Sequence, residues 1–138
     1  MCSRRFRIIF ALTLLALFLL ICLRPRSALS LVKELETIDQ CAVVIDYGTT
    51  SHNADADLSQ LLDSFNSTSV YWAGRYRTIT FPTNGAPIYR LYLAAEDGTV
   101  TTLVVTPQAL YTDKSRYRVC GETNPIYKWL CETAVPRR

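Results

Sequence analysis

The sequence has few of the residues from which catalytic and metal sites are usually built. It contains a single histidine, His52, and it has no Cys-x-x-Cys pair and no phosphate-cradling glycine loop. Missing cysteine pairs argue against a zinc site, and the missing glycine loop argues against that kind of phosphate site. Ser51 and Asp46 lie near His52 in sequence, but no nucleophile elbow or triad motif surrounds them. The sequence therefore predicts a protein that is not an enzyme and needs no cofactor or metal.

Acidic residues are missing from one end of the chain. Residues 1–30 carry five arginines and no acid, whereas residues 31–138 carry ten basic and twelve acidic side chains. The net charge of +3 is therefore the sum of +5 over residues 1–30 and −2 over residues 31–138, so the basic character lies at the N-terminal end. Since affinity for nucleic acid depends on positive contacts to phosphates, a net negative domain is not expected to bind nucleic acid.

Charged residues are also missing from residues 8–23, where nothing is more polar than Thr13 and Cys22. A charge costs about 2.5 to 3.5 kcal/mol at the centre of a membrane helix, so this run is typical of a membrane-directed segment. A helix of this length spans about 24 Å, and flanking arginines can reach across the rest of a hydrocarbon core of about 30 Å. We therefore expect residues 8–23 to contact membrane lipid, with a signal anchor or signal peptide over 1–30 and an extracytoplasmic domain over 31–138.

Two fates of the anchor are compatible with the sequence. Ala28-Leu29-Ser30 places small residues where a signal peptidase cleaves, which would release a secreted domain. Arg24 and Arg26 stand where such a site is normally uncharged, which favours a retained, single-pass anchor. Ile21 before Cys22 departs from a lipoprotein signal. Three arginines precede the span, so the positive-inside bias predicts a cytoplasmic N-terminus and a C-terminal domain outside the cytoplasm.

Three cysteines remain in the domain, and an odd number is not a disulfide framework. Cys120 and Cys131 lie close enough in sequence to pair across a short loop, which would stabilise the fold by about 3 kcal/mol. The alternative is that Cys41, Cys120 and Cys131 are all small buried hydrophobic side chains.

Hydrophobic periodicity predicts an α+β fold with a small antiparallel sheet of about five strands. The predicted strands cover 41–45, 70–81, 88–95, 100–106 and 116–119. Asp97-Gly98 marks a hairpin turn between the third and fourth of them.

Two amphipathic helices are expected on one face of this sheet, because hairpins alone would leave an apolar face in water. The spacing of Leu58, Leu61 and Phe65 predicts the first helix, with aspartates near its start that suit the helix dipole. Asn124-Pro125, a cap followed by proline at the first helical position, predicts the second.

The other sheet face is predicted to carry arginine and tyrosine side chains, because strand residues alternate between faces. The candidate binding residues are Arg75, Arg77, Arg90, Tyr92, Arg116 and Arg118. Such a face would bind an anionic envelope polymer, an acidic peptide or a partner protein. The alternative is a solvated face whose arginines pair with Glu96, Asp97 or Asp113.

Several short motifs follow the arginine-flanked span. They are Tyr-Arg-x-Ile at 76–79, the hairpin at 96–98, Tyr-Arg-Val at 117–119 and a final Tyr-x-Trp-Leu helix at 127–130. The layout from 37 to 132 resembles small membrane-anchored or lipoprotein-like exported α+β domains of Gram-positive bacteria, which have no assigned activity. This resemblance implies a cell-envelope setting and carries no catalytic residue.

The function predicted from the sequence is that of a single-pass envelope protein whose exported domain is a binding or interaction module. Two alternatives remain. One is a secreted small hydrolase or inhibitor released by cleavage near Ser30, and the other is an accessory subunit of a membrane complex.

Overall fold

A single apolar helix precedes the folded domain. The structure, a computed structural model, describes residues 2–137, and α1 covers Cys2–Cys22. Its described side chains are exposed along the whole helix except at Cys22, which is half-buried. By length and composition the segment Ser3–Cys22 is able to cross a membrane, a property that it shares with signal sequences.

The remaining described residues form an α+β domain, which confirms the predicted fold class. The strands are β1 (Arg26–Ser27), β2 (Ile38–Asp46), β3 (Ser51–Asp55), β4 (Ser69–Arg75), β5 (Ile88–Ala95), β6 (Val100–Val105), β7 (Ala109–Tyr111), β8 (Ser115–Val119) and β9 (Val135–Pro136). The helices are α2 (Leu58–Asn66) and α3 (Pro125–Thr133), with short 3-10 helices at Ala28–Leu31 and Leu35–Thr37. All strands join one antiparallel sheet in the order β1-β4-β8-β7-β6-β5-β2-β3-β9.

The prediction of about five strands is wrong, because residues 2–137 contain nine. Of the additional strands, β1, β7 and β9 are two or three residues long, too short to show a period of two. β3 is polar and buries only Ala54, so it resembled a turn in the sequence. It pairs with β2 through a tight turn in which Gly48 has a φ of +89°.

The strand predicted over 70–81 ends early, at Arg75. The register of β4 against β8 shifts between Trp72 and Arg75, and Gly74 has a φ of +103°, which favours glycine. The chain then leaves the sheet as an irregular connection over 76–87, called here the 76–87 segment.

The main core lies between one sheet face and the two helices. Leu61 and Phe65 of α2 and Ile126 and Leu130 of α3 are fully buried. They belong to one apolar cluster with the inward strand residues Val43, Ile45, Leu91, Leu93, Leu103 and Val105. Burying each large side chain contributes about 1.5 to 3 kcal/mol. The helices and one face of the sheet therefore enclose a shared core.

Residues 26–28, which follow α1 after a three-residue connection, contact the folded domain. β1 pairs with the edge of β4, so that Arg26 lies opposite Val70 and Ser27 opposite Ser69. Ala28 is 0% exposed, and its amide donates to the Thr68 carbonyl at 2.8 Å. Residues 26–28 therefore pair and pack with the sheet.

The predicted disulfide between Cys120 and Cys131 is not formed in the structure, where both are exposed free thiols. Cys120 follows β8, and its amide donates to the Ser69 carbonyl at 2.9 Å. The thiol of Cys131, on α3, lies 3.5 Å from the Tyr89 hydroxyl. Cys41 is half-buried, and burial raises the pKa of its thiol to about 11. Of the three thiols that the alternative predicts to be buried, Cys41 is half-buried and the other two are exposed.

Candidate functional site

The sheet face turned away from the helices carries four of the six candidate binding residues. In β8, Tyr117 and Val119 join the helix-side core, so the alternation of a strand directs Arg116 and Arg118 to the other face. The same alternation in β5 places Arg90 and Tyr92 on that face, because their neighbours Leu91 and Leu93 are in the core.

The other two candidates lie elsewhere. Arg75 pairs with Ser115 across the irregular end of β4, and residues directly opposite each other share a face. Ser115 alternates with Arg116, so Arg75 belongs to the helix side of the sheet. Arg77 lies in the 76–87 segment, outside the strands, and is exposed. The bulge in β4 thus separates both residues from the other arginines.

The 76–87 segment covers the middle of this second face. The Tyr76 ring packs edge-to-face on Tyr111 with a centroid distance of 4.8 Å, and the Tyr76 hydroxyl donates to the Thr112 carbonyl. Ile79 and Phe81 pack with Tyr76 against a second, smaller buried cluster, which consists of Ile88, Val104, Ala109 and Tyr111. The predicted open face is therefore divided, with Arg90 and Tyr92 on one side and the β8 arginines on the other.

Arg90 holds a structural ion pair. Its Nε atom lies 2.9 Å from Oδ2 of Asp46 on the neighbouring strand β2, and both side chains are partly buried. The Oδ1 atom of Asp46 accepts from the Gly48 amide at 2.8 Å. Asp46 therefore ties Arg90 to the β2–β3 turn, and the partners expected from the sequence, Glu96, Asp97 and Asp113, are not the residues that pair with Arg90.

Arg116 and Arg118 line a groove of about 450 Å³ between residues 80–84 and the β6–β7 connection. Arg116 lies opposite Tyr111 in the β7–β8 pair. Arg118 lies between Ala109 of β7 and Tyr71 of β4. Within residues 3–137, neither guanidinium has a carboxylate within 4 Å or a side-chain hydrogen bond. Both arginines are exposed, so the groove presents two unpaired positive charges.

The rest of the groove is mostly neutral and polar. The side chains that complete it include Thr80, Thr83, Asn84 and Gln108, with the rings of Phe81 and Tyr111. A second hollow of about 280 Å³ shares Gln108 and Arg118 and is bordered by Glu122, the one acid in either set of lining residues. Guanidinium groups bind carboxylates and phosphates through paired hydrogen bonds, and neutral amides and hydroxyls complete such sites. The groove is therefore suited to an anionic group.

Sequence reasoning missed the loop residues of this groove. Thr83 and Asn84 come from the loop over 82–87, which is rich in proline, glycine and asparagine, and Gln108 comes from the loop that begins at Thr106-Pro107. Thr83 and Asn84 meet the arginines because Tyr76 and Phe81 fold the 76–87 segment back onto the sheet, and Gln108 does so because β7 pairs with β8. No local pattern in the sequence specifies that long-range contact.

His52 does not lie in this groove. It is exposed on β3, with its ring 6.2 Å from that of Tyr47 in an edge-to-face arrangement. Across the described part of the chain, no group of three or more histidine, cysteine, aspartate or glutamate side chains is placed to hold a metal ion.

Comparisons with protein-family models, curated proteins and solved structures give no match for this chain. The resemblance to exported Gram-positive domains therefore rests on the sequence pattern alone. Any assignment of function depends on the geometry of the groove and on the connection between α1 and the domain.

Proposed function

We propose that this chain is a single-pass membrane-anchored envelope protein whose exported domain binds an anionic partner in the groove at Arg116 and Arg118. In this proposal α1 stays in the membrane and the domain acts by contact, without catalysis. The observation that carries the binding role is the pair of unpaired guanidinium groups in one polar groove.

Retention of the anchor is supported by the packing around Ala28. Cleavage after Ser30 would remove β1 and the buried Ala28, together with its hydrogen bond to Thr68. It would also remove the Ser27 hydroxyl, which accepts from the Leu29 amide and lies 3.4 Å from the Phe65 carbonyl. A released domain would therefore lose part of its own fold, which disfavours the secreted alternative.

The binding role is supported by the contrast between the arginines. Arg90 is neutralised by Asp46, and a paired, partly buried arginine is part of the fold. Arg116 and Arg118 have no such partner among residues 3–137, although they stand two residues apart on one strand face. Positive charges on a concave surface attract anions and steer their encounter. The groove therefore offers a carboxylate or phosphate two guanidinium groups at once.

The groove is tested with the full chain in phosphatidylcholine nanodiscs and two probes, a short polyglutamate peptide and a polyphosphate of equal charge. We expect at least one probe to bind, and the double variant Arg116→Gln/Arg118→Gln to weaken it at least tenfold, because a hydrogen bond to a charged group contributes about 1.5 to 3 kcal/mol. Binding is measured by microscale thermophoresis at two salt concentrations.

The matched control is Arg75→Gln/Arg77→Gln, which makes the same charge change outside the groove. We expect it to weaken binding by less than threefold at 150 mM salt, where the Debye length is about 8 Å. Equal losses in the two double variants, or no binding of either probe, would contradict the proposal.

A further inference from the structure

The connection between α1 and the domain is very short. Residues 23–25 separate the end of α1 at Cys22 from the start of β1 at Arg26. An extended chain spans about 3.3 to 3.6 Å per residue, so Arg26 lies within about 14 Å of the helix end. β1 is itself paired into the sheet edge, which leaves the domain little freedom to move away. With α1 in a bilayer, this edge is held near the lipid headgroups.

Arg26 of this edge also lines a cationic pocket, whose other lining residues come from 30–33, 100–102 and 112–117. It has a volume of about 420 Å³, and its charged lining residues are Arg26, Lys33, Lys114 and Asp113. Hydroxyl groups of Ser30, Thr101, Thr102, Thr112 and Ser115 also line it. Three cations against one carboxylate make the pocket net positive. The hydroxyls of Ser30 and Thr112 already donate to the carbonyls of Ser27 and Ser115, so Thr101, Thr102 and Ser115 supply the neutral donors for an anion.

Arg26 is held in place within this pocket. Its Nη2 atom donates to the Tyr117 hydroxyl at 2.9 Å, and its guanidinium carbon lies 5.0 Å from the centre of the Tyr117 ring. Tyr117 belongs to the main core, so the guanidinium is anchored to a rigid part of the domain. A cation fixed in this way loses little conformational freedom when an anion binds.

A hollow of about 680 Å³ adjoins the cationic pocket, because Arg26 lines both. Its lining includes Ile21 and Cys22 at the end of α1, Arg24, and Trp72 of β4. Trp72 is 40% exposed, and its indole nitrogen is 3.4 Å from the Ser115 hydroxyl. Tryptophan is enriched at membrane–water interfaces, where an apolar ring and a polar N–H are both accommodated. This hollow therefore connects the apolar end of α1 to the cationic pocket.

We infer that the pocket formed by Arg26, Lys33 and Lys114 binds the phosphate of an anionic phospholipid headgroup, with Trp72 at the level of the interface. The inference rests on the proposed anchoring of α1 in the membrane and concerns a site separate from the Arg116 groove. A lipid is favoured over free phosphate because the helix end lines the adjoining hollow, which places headgroups beside the pocket. Bound lipid would fix the orientation of the domain on the bilayer.

The test is native mass spectrometry of the full chain in detergent, titrated with phosphatidylglycerol, phosphatidylcholine or inorganic phosphate. We expect phosphatidylglycerol to bind at least fivefold more tightly than phosphatidylcholine.

Since a basic residue near an anionic lipid surface contributes about 1 kcal/mol, Lys33→Gln and Lys114→Gln should each weaken phosphatidylglycerol binding about fivefold. Asp113→Asn should strengthen it. Lys128→Gln makes the same charge change as the lysine variants on α3, outside the pocket, and should have no effect.

Three results would overturn the lipid site: equal affinity for the two lipids, equal losses in Lys33→Gln and Lys128→Gln, or displacement of phosphatidylglycerol by inorganic phosphate at equal concentration. The failure of this inference is distinguishable from the failure of the proposed function. A chain that remains in the membrane fraction but shows one of these results refutes the lipid site alone. A chain cleaved before Leu31 and found outside the membrane refutes the proposed anchoring instead.

Discussion

At the scale of single residues, Asn124 shows how one side chain joins local and long-range structure. It is 2% exposed, and its Oδ1 atom accepts from the Ile126 amide at 3.1 Å, which confirms the predicted cap of α3. Its Nδ2 atom donates to the Thr106 carbonyl at 2.8 Å, just after β6. The cap was readable from Asn124-Pro125, whereas the bond to Thr106 joins residues far apart in sequence and has no local signal.

We expect Asn124→Ala to lower the free energy of unfolding by about 2 to 3 kcal/mol, because it removes a helix cap and leaves a buried carbonyl unpaired. Asp57→Ala is the matched comparison. Asp57 caps α2 by accepting from the Gln60 amide at 2.9 Å, but it is exposed, so only about 1 kcal/mol should be lost. Denaturant unfolding followed by circular dichroism measures both. Equal losses would show that the bond to Thr106 contributes nothing.

At the scale of elements, the regular strands and helices were predictable and the 76–87 segment was not. β5, β6 and α2 carry a clear period, because each has one buried face along its full length. The apolar residues Ile79 and Phe81 extend the predicted strand to residue 81, six residues beyond the end of β4. Those side chains are partly buried, but against the second sheet face, where the chain folds back across the strands. The spacing of apolar residues indicates that they are buried, but it does not indicate which surface they pack against.

Tyr76 is expected to hold that segment on the sheet. Tyr76→Ala should lower the free energy of unfolding by about 2 kcal/mol, since a half-buried aromatic ring and one hydrogen bond are lost. It should also raise the hydrogen-exchange rates of amides in 76–87 and β7 more than those in α2. Tyr76→Phe keeps the ring and loses only the bond to Thr112, so about 1 kcal/mol is expected. Unchanged exchange in the alanine variant would mean that Ile79 and Phe81 alone fix the segment.

At the scale of the whole molecule, the two parts of the chain are joined more closely than the sequence implied. The predicted boundary at residue 30 follows the small residues of a cleavage site, but Ala28 is buried in the core and β1 extends the sheet. The same residues 26–31 thus serve both as the predicted end of a signal segment and as part of the fold. Because cleavage after Ser30 would remove β1 and the buried Ala28 from the fold, their packing supports retention of the proposed anchor.

Retention and orientation are tested together in intact cells. We expect the mature protein in the membrane fraction to extend N-terminal to Arg26 by mass spectrometry. A membrane-impermeant maleimide should label the exposed thiols of Cys120 and Cys131, since the domain is proposed to lie outside the cytoplasm. A Cys120→Ser/Cys131→Ser variant is the control for labelling elsewhere. A mature N-terminus at Leu31, or labelling only after lysis, would contradict the proposal.

The sequence by itself determined the apolar N-terminal helix, the α+β class, the amphipathic faces of α2 and α3 and the alternation of β5 and β8. Each of these depends on residues close together along the chain, so composition and period are sufficient. The tertiary structure alone decided which arginine is paired and which arginines line a groove. Arg90 is paired because β2 lies beside β5, and Arg116 and Arg118 line a groove because the 76–87 segment folds across the sheet. These relations join distant residues, and no local pattern encodes them.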